Sequence, residues 1–319
     1  LAESLNGQGW RVTFAATGET VNTVAALAKP PVEVLEVPGQ AWASADILFP
    51  FVGLKADLLV VDHYGLDAPY EEIWRPWVDR IMVIDDLANR PHDCDILLDQ
   101  TFGRSPDAYS SLVPAHARLL LGSDYALLRT AFVEKRPAAL AARDARRGRI
   151  EKVLVSFGTM DPDNVTALAL EALRPFATGL DVDVVLGSRA PHLADVRARV
   201  EALPHARLRT EVTDMADLMC AADLAIGAGG TTSWERCCLG LPAIVVRIAD
   251  NQKTIVANLA KAGAIVDAGD GRGLTVAKLG EHVARLLADA EAVRAMSQVA
   301  RHICDGGGVK RTVAALEEA

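Results

Sequence analysis

Two glycine-bearing turns carry the residue types that could hold an anionic ligand. In LVSFGTMDPDN (154–164) an apolar run ends at Gly158 and Thr159, and a helix is predicted to start near Pro162. Backbone amides at such a start point toward incoming anions. The alternative is a capped strand-to-helix turn, with Asp161 as the cap and Pro162 at an early helical position. In GAGGTTSWERCCLGLP (227–242), Gly229 and Gly230 let a backbone approach a ligand closely. Thr231, Thr232 and Ser233 offer hydroxyls to that ligand or a cap to the following helix. Glu235 lies one turn into that helix. It is placed either to hold a pair of vicinal hydroxyls or simply where a carboxylate is favoured, near a helix N-terminus. No lysine follows the glycines, and the absence of GxxxxGK[ST] excludes a P-loop. Cys237 and Cys238 are adjacent and point about 100° apart on a helix, so they read as small packing residues rather than metal ligands. In ADNQ (249–252), Asn251 and Gln252 end another strand and either hydrogen-bond a ligand or cap a helix.

The first half carries polar residues at similar places. VVDHYGLD (60–67) puts Asp62, His63 and Tyr64 after a strand, and VIDDLANRPHDCD (83–95) puts Asp85, Asp86 and His92 after the next. Adjacent acids leaving a strand point apart, so Asp85 and Asp86 read as loop caps rather than a metal pair. His63 and His92 are each either a general base or a hydrogen-bonded loop histidine.

The elements that must position these residues alternate. Strands are predicted at 11–16, 32–37, 57–62, 80–86 and 95–99, and again at 152–158, 182–187, 206–210, 223–229, 243–247 and 264–268. Helices are predicted at ESLNG, at the Ala-rich 20–29, at 40–49, at EEIWRPWV with Pro76 spoiling its end, and through most of the later gaps. Strand–helix alternation implies parallel sheets covered on both faces. The fold class is therefore α/β, with two Rossmann-like, doubly wound domains and a ligand cleft expected between them. The N-terminal domain is expected over 1–134, a charged, Ala-rich linker over 135–150 that reads as either solvated chain or helix, and the C-terminal domain over 151–319, its last helix packing back on the first domain. LAESLNGQGWRVTF reads as a helix tail, a turn and a strand. A βαβ unit places a strand before such a helix, so a first strand and its loop are expected upstream of Leu1.

Composition narrows the classes. At 319 residues, a prior of about 150 residues per domain favours two domains. A net charge of −9 argues against a nucleic-acid backbone as partner, though not against a small phosphorylated ligand. Five cysteines without ligand spacing suit a reduced cytoplasm. No apolar run reaches the roughly 18 residues needed to span a bilayer, so no stable membrane insertion is expected. The absence of GxGxxG at the strand ends argues against an oxidoreductase.

Taken in order, VVDHYGLD, IDDLANRPHDCDILLDQ, GSDYALLR, VLVSFGTMDPDN, DLAIGAGGTTSWERCCLGLP and ADNQ resemble the UDP-sugar hydrolases of pseudaminic acid biosynthesis. The resemblance runs from about residue 5 to 315. It implies a fold like that of inverting GT-B glycosyltransferases, and release of UDP and free 2,4-diacetamido-2,4,6-trideoxy-L-altrose from the UDP-sugar, within flagellin glycosylation. It places Gly158, Thr159, Gly229 and Gly230 at the diphosphate, with Thr231, Thr232 and Ser233 assisting and Glu235 on the ribose. Tyr64 matches an active-site tyrosine, and Asn251 and Gln252 a polar pair on the sugar side, with Asn251 in a catalytic role. It implies a UDP-amino-sugar as the small-molecule partner, with no cofactor and no metal.

Two departures stand out. Where the family reads FGGTD, this chain has Phe157-Gly158-Thr159-Met160-Asp161. The family's general-base histidine lies in a Gly-x-Gly-His loop, in the segment expected upstream of Leu1. The implied chemistry is water attack at the anomeric carbon with inversion. The competing expectations are a GT-B glycosyltransferase using a UDP-amino sugar, ranked lower because the apolar FPFVGL (49–54) is short and carries little charge for a lipid-facing stretch, and a non-catalytic UDP-sugar binding module.

Overall fold

Short β-branched runs bounded by glycine and polar turns form parallel strands throughout. The computed structural model describes residues 1–23, 33–37 and 55–318. The chain divides into two units, Leu1–Tyr125 with Val309–Ala319, and Ala126–Gly308.

The first unit begins with α1 (Ala2–Gly7), β1 (Thr13–Thr17), α2 (Gly18–Thr23) and β2 (Glu33–Val37), where β1 and β2 pair in parallel. Then follow β3 (Ala56–Asp62), α3 (Ala68–Trp74), β4 (Val78–Ile84), β5 (Ile96–Asp99) and β6 (Arg118–Leu121). These four strands form a parallel sheet in sequence order. Ile81, Val83, Leu97 and Tyr109 are buried in its core. The expected helix at 71–78 ends at Trp74, before Pro76, and β4 already starts at Val78. The strand β6 was not expected from the sequence. The stretches 24–29 and 40–49, expected as helix, and the apolar 49–54 lie outside the described residues.

The second unit opens with α4 (Thr130–Arg146). Of the two expectations for the charged, Ala-rich segment, linker or helix, residues 135–146 form helix. It is not solvated throughout, because Arg143 is buried and its guanidinium donates to the carbonyls of Leu239, Ala222 and Met219 at 2.7, 2.6 and 2.7 Å. After it come β7 (Lys152–Ser156), α5 (Val165–Leu173), β8 (Asp181–Val185), α6 (Leu193–Glu201), β9 (Ala206–Arg209) and α7 (Met215–Ala221). β10 (Leu224–Ala228), α8 (Thr232–Cys238), β11 (Ala243–Arg247), α9 (Gln252–Ala262), β12 (Ile265–Asp270), α10 (Val276–Ala288) and α11 (Ala290–Ile303) complete the unit. The last helix, α12 (Gly308–Glu318), reaches into the first unit's share of the chain. There Arg311 donates to the Asp124 carbonyl at 2.8 Å and Arg118 to Glu318 at 3.0 Å.

The strand order of the second unit is β12-β11-β10-β7-β8-β9, all parallel. Counted from β7 this is 3-2-1-4-5-6, the doubly wound order whose direction reverses between its first and fourth strands. Every residue of β10 is buried, as expected for a central strand covered on both faces. Among the described residues no helix is long and apolar enough to cross a membrane.

One polar ladder runs across this sheet. The buried Asp183 on β8 pairs with Lys152 on β7 at 2.9 Å and Arg209 on β9 at 2.7 Å. Burial pushes its carboxyl up, but hydrogen bonds from Lys152 and Arg209 outweigh burial and hold it below the ordinary carboxylate range. A lowered carboxyl stabilises the fold above its unfolded pKa and loses that contribution as pH falls. Asp183→Asn is therefore expected to cost about 1–3 kcal/mol at neutral pH. In urea denaturation, the gap to the unmodified protein should close as pH falls below about 4. A gap independent of pH contradicts this reading.

Candidate functional site

Between β7 and β10 the strand order reverses, the place where ligands of doubly wound sheets bind, beyond the carboxyl ends of the strands. The two sequence-predicted turns are the segments that leave these two strands, since Ser156 ends β7 and Ala228 ends β10, with Gly227 opposite Ser156 in the ladder.

On the β7 side, Gly158 has φ +95°, a conformation that a side chain would strain. Thr159 follows it, exposed, and its carbonyl accepts from the Gly187 amide at 2.9 Å. Its methyl packs so closely on Gly187 that a Cβ there would lie 2.5 Å away. Thr159, which stands where the resembled family has a second glycine, is thus accommodated by a glycine on the next strand's exit. Helix α5 starts at Val165, three residues later than expected. Asp161, at φ +39°, turns its carboxylate back onto the amides of Val165 and Thr166 at 3.0 and 2.8 Å. Asp161 thus caps the helix donors, but from before the Asn164 N-cap position, and Pro162 lies outside the helix. The helix donors are occupied by the chain's own carboxylate, so the Gly158–Thr159 backbone is what this side leaves for a ligand.

On the β10 side, Gln252 organises the turn. Its Oε1 accepts from the amides of Gly229 at 3.2 Å and Ile248 at 3.0 Å, joining the exits of β10 and β11. A Cβ on Gly229 would lie 2.3 Å from Val256 Cγ2, whereas one on Gly230 would meet nothing nearer than Gln252 Nε2 at 4.0 Å. Gly229 is therefore a glycine for packing, and Gly230 faces open space. Among the described residues, no hydrogen bond engages the amides of Gly230 and Thr231. Thr231 occupies the N-cap position of α8 and Asn251 that of α9, and neither makes a side-chain cap hydrogen bond.

Glu235 is largely covered and lies 3.7 Å from Arg129 Nη2. Burial pushes its carboxyl above the ordinary range, against the pull of Arg129 and Arg236. Ser233 is buried, and Thr232 half-buried. Both hydroxyls lie against Arg236, at 3.0 Å and 3.4 Å respectively. Arg236 also donates to the Ala228 carbonyl at 2.7 Å. Sequence reasoning passed over this residue. Its signal was an arginine three and four positions beyond Ser233 and Thr232, hence on their face of the helix, among residues otherwise suited to a core. Cys237 and Cys238 are free thiols with no more than 2% exposure, and burial pushes the Cys237 thiol up to about 12.

The first unit builds its own polar cluster at the carboxyl ends of β4 and β5. The Tyr109 hydroxyl lies 2.9 Å from both Asp85 and Asp99, and its single proton is shared between the two carboxylates. Arg90 pairs with Asp85 at 2.8 Å, and Arg104 with Asp99. Burial pushes the Asp85 carboxyl up, yet the Ala88 amide, Arg90 and Tyr109 hold it below the ordinary range. Asp86 is different, because burial drives its carboxyl up and Tyr64 only partly offsets this. Tyr64 is 58% exposed, and its hydroxyl donates to Asp86 Oδ2 at 3.3 Å. His63 accepts the Gly65 amide at 3.0 Å. His92, weighed as a general base, has a fully buried side chain, with Nδ1 2.7 Å from the equally buried Glu71. It sits in the core as a hydrogen-bonded histidine.

No protein-family model matches the chain. It is 28% identical over 269 residues to the spore coat polysaccharide biosynthesis protein SpsG of Bacillus subtilis, spanning 83% of this chain and 77% of that protein. It is 24% identical over 234 residues to UDP-2,4-diacetamido-2,4,6-trideoxy-beta-L-altropyranose hydrolase of Campylobacter jejuni, spanning 72% and 81% respectively. Among solved structures, MurG of Acinetobacter baumannii matches with a TM-score of 0.68 at 16% identity, over 100% of this chain and 94% of that one. The likeness shows the fold: two Rossmann-like α/β domains of the GT-B class, the class read from the sequence. Within that fold, the two neighbouring glycines have separable duties. Gly229→Ala is expected to cost about 1–3 kcal/mol through overpacking against the buried Val256. Gly230→Ala is expected to change stability by no more than about 0.5 kcal/mol. Thermal or urea unfolding measures both, and equal losses would contradict the assignment.

Proposed function

We propose that the protein is a UDP-sugar enzyme whose second unit binds the UDP moiety. The reaction is hydrolysis of a UDP-linked 2,4-diacetamido-2,4,6-trideoxy sugar. The observation carrying the nucleotide reading is the position of the two glycine turns, on the exits of β7 and β10 where the strand order reverses. The 24% identical hydrolase supports the substrate class and the reaction. Gly158, Thr159, Gly230 and Thr231 would present backbone to the diphosphate, with Thr232 and Ser233 behind them. Glu235 would exchange its long contact with Arg129 for the ribose hydroxyls. Tyr64 of the first unit and Asn251 of the second take their catalytic roles from the family resemblance, and Gln252 sets the turn.

In this reading a water oxygen attacks the anomeric carbon while the bond from that carbon to the UDP oxygen breaks. The water proton passes to a general base, the sugar leaves with inverted configuration, and UDP carries away the bonding electron pair. Hydrogen-bond donors fixed around the developing phosphate charge lower the barrier without reorganising.

A glycosyltransferase reading remains, in which an acceptor hydroxyl replaces water. The likeness to the spore coat polysaccharide biosynthesis protein is compatible with either reaction. Incubating the full-length protein with the UDP-sugar in oxygen-18 water, without acceptor, separates the two. The hydrolase is expected to release UDP and place the label in the free sugar. Label in UDP would rule out anomeric attack, and absence of release without acceptor would favour the transferase. Gly230→Ala, which leaves the fold intact, is expected to weaken UDP binding by about tenfold or more, because its methyl occupies the space the diphosphate would approach.

A further inference from the structure

The β10 turn has no lysine, yet a positive charge lies directly beneath it. Arg236 is 4% exposed. Its guanidinium reaches the Ala228 carbonyl and the hydroxyls of Ser233 and Thr232. Its Nε is buried without an acceptor. Among the described residues no ion pair neutralises it, since the neighbouring Glu235 is engaged with Arg129. Burial lowers its pKa to about 10, so the group still carries its charge at neutral pH. A buried charge without a counter-ion is costly. In a medium of low polarisability, its field also reaches further than it would at the surface.

The hydrogen bonds add a directional argument. A guanidinium has donors only. Thr232 Oγ1 and Ser233 Oγ must therefore accept from Arg236, and their own protons are directed elsewhere. The adjacent amides of Gly230 and Thr231 likewise have no acceptor among the described residues. Two uncommitted amides, two hydroxyls and a buried cation thus belong to one turn and the first helical turn after it, a set of groups that suits an anion.

We propose that Arg236 is the charge and positioning residue of a diphosphate subsite. It supplies the positive potential that the missing lysine would otherwise give, and it orients the Thr232 and Ser233 hydroxyls as donors. This rests on the nucleotide reading above. The ligand class is a nucleoside diphosphate, held by Arg236 through its phosphates and not through its base or ribose.

The test is titration of the full-length protein with UDP and with uridine, followed by calorimetry for UDP and ligand-observed NMR for millimolar uridine. Arg236→Gln keeps donors but removes the charge. It is expected to weaken UDP binding on the order of tenfold to a hundredfold and to leave uridine unchanged. Arg236→Lys keeps the charge but loses the fork, and is expected to stay within about fivefold of the unmodified protein for UDP. Thr232→Val alters a half-buried side chain, so it reports even if Arg236→Gln fails to fold. It is expected to weaken UDP about threefold to tenfold, with uridine unchanged. Equal loss of UDP and uridine in Arg236→Gln, or unchanged UDP affinity in Thr232→Val, would overturn the proposal and leave Arg236 a structural tie. Unmodified protein that binds neither UDP nor uridine would instead sink the nucleotide reading.

Discussion

The reversal of strand order between β7 and β10 is the constraint on which the second unit depends. Chain leaving β7 and chain leaving β10 must diverge, and backbone near the divergence cannot be paired by a neighbouring strand. Each exit then needs another means of holding its shape. At β7 it is Asp161, folded back at positive φ to cap α5. At β10 it is Gln252, which bonds two amides from two exits at once. These side chains fix the backbone and leave a short stretch of each turn uncommitted. The candidate site consists of what remains.

Charge is distributed to match. The chain as a whole is acidic, with a net charge of −9, so general attraction cannot draw an anion to this place. Local arrangement has to do so. The α5 terminus, which fold geometry alone would offer to a phosphate, is already occupied by Asp161. The turn before α8 is not, and Arg236 lies under it with no carboxylate of its own. Glu235, one residue earlier, keeps an exposed guanidinium at a loose 3.7 Å. A contact of that length is easily exchanged for a ligand hydroxyl, while the charge of Arg236 stays in place.

Much of this architecture was legible in the sequence, and the misses have physical causes. Strand β11 falls on the predicted 243–247 because four apolar residues, Ala243 to Val246, follow a Leu-Pro turn and run into Arg247. Strand β6 went unread because Arg118–Leu121 is only four residues long and opens on a charge that pairs with Glu318. Helix α4 resembled a linker because its inward face carries Arg136 and Arg143. Their stems pack while their heads bind carbonyls of neighbouring helices. Arg236 escaped for the same reason, since an arginine in a helix reads as surface. The start of α5 moved because a left-handed Asp161 interrupts the chain where Pro162 suggested a first helical turn. Glycines and hydroxyls could be located by type and order. Whether Gly229 served packing and Gly230 a ligand depended on Val256, which no local pattern reveals.

The central claim is that the turns leaving β7 and β10 hold the diphosphate of a UDP-sugar. Amide chemical-shift mapping of isotopically labelled full-length protein during titration with UDP tests it most directly. The account predicts saturable shifts that are largest at Gly158, Thr159 and Gly229 through Thr232, with the Arg236 side-chain resonance moving in step. Saturable shifts centred elsewhere, with these residues unmoved, would contradict it.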